Sequence, residues 1–146
     1  MDGSRLIDVD YRRSYRVRWR DTDQSGFANF PSYVRMMEET EYDFLRSLGL
    51  SIVMEDERGV VGFPRVSADV EIHEPVSVDD ELEVWLLVSQ NDGVKVEYLF
   101  EVTRAGKKVA SGTFLLACCR FPVGEPPRAI LIPDFIMAKL PVRASS

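Results

Sequence analysis

One helical period stands alone in this chain, and everything after it alternates like sheet. Pro31 suits a first helical turn because its missing N–H is not needed there and its φ is already helical. From it, Tyr33, Met37, Thr40, Phe44 and Leu48 recur along one face and Gly49 supplies a stop. Arg35, Glu38, Glu39, Glu41, Asp43 and Arg46 occupy the other side and read as a solvated face. A strand is expected at 15–20 before the helix, and four period-two segments follow it at 60–73, 80–90, 94–104 and 107–121. Leu82, Val84, Leu86 and Val88 share one face, as do Val94, Val96, Tyr98, Phe100 and Val102. Asn91-Asp92-Gly93 and Arg104-Ala105-Gly106 supply the residues tight hairpins require, so the last three strands form an antiparallel meander. This is an α+β order, with a sheet large enough to wrap around one helix in a single domain spanning residues 1–146. Residues 51–59 read as a polar, acidic connection, and the proline-rich tail from 122 reads as irregular chain packed on an edge.

Charge narrows the function. The 24 acidic residues outnumber the 18 basic ones, for a net charge of -6. The excess of arginine at the start, six against three aspartates in residues 1–20, is outweighed by the rest, so no nucleic-acid footprint is expected. Arg16, Arg18 and Arg20 alternate with Tyr15, Val17 and Trp19, the pattern of a half-buried strand. Apolar runs are too short for a membrane span and the first residues lack a leader-like apolar segment, so the expected location is cytoplasmic, with no membrane partner. Cys118 and Cys119 are neighbours and build neither a disulfide framework nor a zinc site. Glu38, Glu39 and Glu41 diverge around the helix without a histidine beside them, so no metal is expected. His73, the only histidine, reads as structural, which makes Ser-His-Asp and Cys-His chemistry poor fits.

The segment richest in chemistry is the junction RWRDTDQSGFANFPSYVRMMEETEYDFLRSLG at 18–49. Asp21-Thr22-Asp23-Gln24-Ser25-Gly26 is a turn cluster, and Asn29 or Ser32 can cap the helix that follows. A carboxylate there faces the unpaired N–H groups of a helix start, which carry partial positive charge and can stabilise an oxyanion. Asp23 is placed to activate water or to attack a carbonyl; on these grounds alone ordinary turn formation is the commoner account of both aspartates.

In this order, Asp21-Thr22-Asp23, Gly26, the helical Tyr33, Glu38, Leu48-Gly49, VVGFPRVSADVEI at 60–72, Val78-Asp79-Asp80-Glu81-Leu82 and Arg120-Phe121 resemble the hotdog-fold thioesterases of the 4-hydroxybenzoyl-coenzyme A thioesterase-like group. The resemblance implies a five-stranded antiparallel sheet around one long central helix, and hydrolysis of an acyl-CoA thioester to a carboxylic acid and coenzyme A. It implies Asp23 as general base or nucleophile and the Phe30 backbone N–H as oxyanion donor. Glu38 is a second candidate carboxylate, because some members draw theirs from the helix. Gly26 shapes the turn; Phe27, Tyr33 and Phe63, with Trp19, are candidate acyl-pocket walls; Arg65 and Lys95 are candidate partners for coenzyme A. No cofactor is implied beyond coenzyme A itself as part of the substrate. A homodimer or homotetramer is implied, with sites between chains paired through their sheets. Many members carry histidine where Phe30 stands, which implies a less polar site here. The sparse positive charge near Lys95 leaves open an acyl carrier protein as donor, or a noncatalytic acyl-binding module. A hydratase would need a histidine in the turn region, and none is there.

Overall fold

The structure, a computed structural model, describes residues 9–141. Strand β1 (Tyr11–Arg16), a tight turn at Trp19–Asp21 and helix α1 (Phe30–Ser47) open the chain. They are followed by β2 (Val53–Asp56), β3 (Gly59–Gly62), β4 (Arg65–Ile72), β5 (Glu81–Asn91), β6 (Lys95–Arg104), β7 (Lys107–Ala117), β8 (Cys119–Arg120), β9 (Arg128–Ala129) and a short helix α2 (Asp134–Met137). Five strands form one antiparallel sheet in the order β1-β5-β6-β7-β4, and β2-β3-β8-β9 form a smaller second sheet. The α+β fold with one main helix on a five-stranded antiparallel sheet is the architecture the sequence implies.

The core lies where the helical stripe meets the alternating faces. Leu82, Val84, Leu86 and Val88 of β5 and Val96, Tyr98, Phe100 and Val102 of β6 are buried, and so are Tyr33, Met36, Met37, Phe44 and Leu45 of α1. Phe44 meets Tyr98 edge-on with ring centroids 6.1 Å apart, a geometry favoured by the ring quadrupole. The Met37 side chain of α1 sits over Gly112 of β7, where a Cβ would stand only 2.6 Å from its sulfur.

Several boundaries differ from the periodicity. The first strand runs over 11–16 rather than 15–20, because the Asp21 carboxylate accepts the Arg18 N–H at 2.8 Å and folds the chain over just where the alternation continues. Trp19 is left 74% exposed. The segment 60–73 is two strands, since Phe63-Pro64 breaks it: β3 pairs with β2 and β8, whereas β4 pairs with β7. The segment 107–121 likewise divides after Ala117. Residues 53–62, expected largely as polar connection, form the β2–β3 hairpin. The tail does pack on an edge: the Ile132 N–H donates to the Gly93 carbonyl, and Ile132, Ile136 and Leu140 are buried.

Candidate active site

The turn after β1 separates two aspartates into different environments. Asp21 is fully buried. Its carboxylate accepts the Arg18 N–H and the Tyr15 hydroxyl, and it lies 3.6 Å from the Arg35 guanidinium. Its carbonyl accepts the Asn29 N–H and the Ser32 hydroxyl, both at 2.8 Å, which ties the turn to the start of α1. Asn29 is the cap, accepting the Ser32 N–H at 3.1 Å. Asp23, by contrast, is exposed. The Ser25 N–H donates to it at 2.9 Å and the Ser25 hydroxyl donates to the same oxygen. The Ser25 hydroxyl bond, with the Ser25 N–H, holds the Asp23 carboxyl below its usual range, so it is ionised at neutral pH. The Gly26 N–H donates to the Asp23 carbonyl at 3.0 Å and Gly26 has φ +83°, a left-handed conformation that suits glycine.

Phe30 opens the helix, and its N–H finds no acceptor among the described residues. Pro31 has no N–H, and that of Ser32 is taken by Asn29, so one donor is left at the helix mouth. The side chains of Phe27 and Phe30 are 44% and 52% exposed. With Trp19, they give the turn carrying Asp23 a set of uncovered aromatic rings. Tyr33 is fully buried under this turn and offers no surface.

A second group of residues gathers past the middle of the helix. A cavity of about 450 Å³ lies between α1, the β2–β3 hairpin and the start of β4. Its walls include Ile52, Val60, Phe63 and Phe121, and among the described residues its ionisable lining groups are Glu41 and Arg65. Arg65 pairs with Glu38 at 2.8 Å and lies over the Phe114 ring at 4.3 Å. Glu41, expected on the solvated face, is buried instead, with 7% of its side chain exposed. Removal from water pushes its carboxyl up to about 7, against the pull of Arg65. The reason is its register: Glu41 follows Met37 by four and precedes Leu45 by four, inside the buried stripe. That spacing was the signal in the sequence; reading its charge as a solvent marker hid it.

Glu38, Phe63 and Arg65 thus stand together, as do Asp23, Gly26, Phe27 and Phe30. The two groups are apart within one chain, since Glu41 lies eleven residues beyond Phe30, about 16 Å along the axis. Lys95 is exposed at the start of β6, at the end of the sheet far from Asp23. Of the other basic strand-end residues, Arg104 bridges Glu74 and Asp80, and Arg120 pairs with Asp56. His73 lies 3.3 Å from the Ser111 hydroxyl, away from Asp23 in sequence and beside β7. Burial pushes the Cys118 thiol up to about 11, which makes it a poor nucleophile. Among the described residues no cluster of three His, Cys, Asp or Glu side chains is placed to hold a metal, and no helix is long and apolar enough to cross a membrane.

An antiparallel five-stranded sheet packed on one long helix is the hotdog architecture, and residues 17–140 match the family model described as thioesterase-like superfamily. The chain belongs to that superfamily. It is 28% identical over 130 residues to the acyl-CoA thioester hydrolase YbgC of Escherichia coli O6:H1, covering 88% of this chain and 94% of the relative. It is also 28% identical over 112 residues to the 1,4-dihydroxy-2-naphthoyl-CoA hydrolase of Nostoc punctiforme, covering 77% of this chain and 74% of that one. The 4-hydroxybenzoyl CoA thioesterase of Pseudomonas sp. strain CBS-3 shares the fold, with a TM-score of 0.74 at 18% identity over 88% of this chain and 97% of that one.

Proposed function

We propose that this protein hydrolyses an acyl-CoA thioester to a carboxylic acid and coenzyme A, with Asp23 supplying the carboxylate and the Phe30 N–H the oxyanion donor. The observation that carries this reading is that the Phe30 N–H is unpartnered at the helix mouth while Asp23, held ionised by Ser25, sits seven residues before it. A thiolate leaves without the general acid an amine requires, so one carboxylate and one donor suffice. Asp23 either draws a proton from the attacking water or attacks the thioester carbon itself to give an anhydride that water then cleaves. The N–H stabilises the negative charge that develops on the carbonyl oxygen in either route.

Asp23 lies open on one chain, and a second copy closes the site. Strand β4 is a sheet edge with nearly every side chain exposed, Val66 at 57% and Ile72 at 39% among them. An uncovered edge of this kind is a template for strand pairing. Antiparallel pairing of β4 with its copy sets the start of one strand beside the end of the other. The end of β4 leads through residues 73–75 to Val76, whose carbonyl accepts the Ala28 N–H at 2.8 Å next to the catalytic turn. A homodimer therefore brings Phe63 and Arg65 of the partner subunit to the Asp23 turn, so that the cavity of one chain receives the acyl group cleaved at the other. Glu38 serves as the ion-pair partner of Arg65 in this reading.

The test is thiol release from a panel of acyl-CoA esters, by wild type and Asp23→Asn. The expected outcome is turnover of at least one ester, with kcat lowered at least about a hundredfold in the variant, the scale set by loss of general-base or nucleophilic catalysis. Equal rates would remove Asp23 from the mechanism. Saturable binding with no turnover of any ester, from coenzyme A or from acyl carrier protein, would make the chain an acyl-binding module instead.

A further inference from the structure

We propose that Glu41 is a specificity residue of this site: its carboxyl group hydrogen-bonds a hydroxyl carried on an otherwise hydrocarbon acyl group that enters the cavity between α1 and the β2–β3 hairpin. The inference deepens the thioesterase reading and rests on it.

The first argument is the cost of the residue. Glu41 is buried to 93% by side chain, yet its carboxyl makes no hydrogen bond among the described residues. Its one polar contact is Arg65, at 4.0 Å and beyond hydrogen-bond reach. The carboxyl oxygens are not sealed off, since among the described residues only the Tyr33 hydroxyl is a fully enclosed side-chain polar atom without a partner; even so, holding a carboxyl group so largely out of water is unfavourable, and a leucine or methionine in the same helical stripe carries no such cost. The second argument is direction. Glu41 lines a cavity of about 450 Å³, within the range of small-molecule sites, whose other walls are mostly apolar. One polar group on an apolar wall fixes the orientation of a ligand that has one polar group to match.

Charge selects what that group is. Arg65 is committed to Glu38 at 2.8 Å and to the face of Phe114, so its guanidinium is not turned toward Glu41 at bonding distance. An ammonium group would meet the cation of Arg65, and a second carboxylate would meet Glu38 and Glu41. A hydroxyl carries no charge, and it donates to a carboxylate or accepts from a carboxylic acid. It therefore satisfies Glu41 in either protonation state, which matters because the group titrates near neutrality. The Tyr98 hydroxyl, the other ionisable neighbour, is held neutral by burial and by the Glu41 charge.

The experiment compares matched thioesters that differ by one hydroxyl, para-hydroxyphenylacetyl-CoA against phenylacetyl-CoA and omega-hydroxyhexanoyl-CoA against hexanoyl-CoA. Wild type is expected to favour the hydroxylated member of at least one pair by about tenfold or more in kcat/KM, because a site built around a hydrogen bond rejects the analogue that lacks it. Glu41→Leu is expected to reduce that ratio to about unity, and Glu41→Gln, whose amide still donates and accepts, to retain most of it. Thermal denaturation of each variant confirms that it folds. Hydrolysis with no preference in either pair, or a preference that Glu41→Leu leaves unchanged, overturns the proposal while the thioesterase reading stands. If no thioester is cleaved, that reading falls, and the primary amides of the same acyl groups test the cavity by ligand-observed NMR titration. Tighter binding of a hydroxylated amide, lost in Glu41→Leu, supports the role of Glu41 as a binding residue; equal binding of both members overturns it.

Discussion

Asp21 and Asp23 are two positions apart and chemically identical, and their surroundings give them opposite work. Asp21 is enclosed and spends its carboxylate on Arg18, Tyr15 and Arg35, fixing the turn. Among the described residues the Asp23 carboxylate has Ser25 alone on it, and it is open to solvent. The residues alone made Asp23 a candidate base or nucleophile without setting it apart from an ordinary turn former, and the family resemblance favoured it; the burial that separates the two aspartates comes from the fold. Glu41 was the residue least legible in the sequence, because a charge inside an apolar stripe looks like the edge of the polar face. Its carboxyl, at about 7 in the folded chain against an ordinary 4.5, makes a testable demand on stability. Between these values the unfolded chain loses the proton while the folded chain keeps it, so stability falls as pH rises through that window and levels off above about 7. Glu41→Leu removes this dependence. Denaturant titrations are expected to show the variant gaining on wild type from pH 4.5 to 8, by up to about 3 kcal/mol at the upper end. A stability difference that does not change with pH would mean that Glu41 is ionised in both states.

At the scale of elements, period and turn chemistry carried most of the information. The helix was legible because Pro31 and Gly49 bracket a continuous apolar stripe, and β5 and β6 were legible because their alternation is unbroken between hairpin glycines. The β2–β3 hairpin was not, since Glu55, Asp56, Glu57 and Arg58 are too polar to read as sheet. It pairs because Arg120, from β8, holds Asp56 and the Gly59 carbonyl across the turn. The cavity wall formed by this hairpin was hidden with it. Gly112 was read only as one residue of a strand, yet it leaves the space that the end of the Met37 side chain fills. A methyl group there meets Met37 at 2.6 Å and the Asp69 carbonyl at 3.2 Å. Gly112→Ala is expected to cost about 1–3 kcal/mol, the ordinary range for overpacking, in spite of alanine's better fit to a strand. An unchanged denaturation midpoint would show that the Met37 side chain has room to move aside.

The whole molecule has the turn proposed as catalytic at one end of α1 and the cavity proposed for the acyl group farther along it. Strand β5 alone spans about 33 Å from Glu81 to Asn91, and the two ends of the sheet do not meet within one chain. The sequence named residues from both ends as one site because the family resemblance carries the site without saying which chain supplies which part. The uncovered β4 edge reconciles the two in the proposed dimer: pairing reverses one chain against the other and sets each turn beside a cavity. The most direct measurement is complementation between two defective chains, Asp23→Asn and the double variant Phe63→Ala with Arg65→Ala. Each alone is expected to be nearly inactive, whereas an equimolar mixture, unfolded and refolded together, is expected to recover about a quarter of wild-type thioester hydrolysis. Random pairing makes half of the dimers mixed, and each of those holds one intact site of two. Activity of the mixture no higher than the mean of its two components would place the whole site within a single chain and contradict the account.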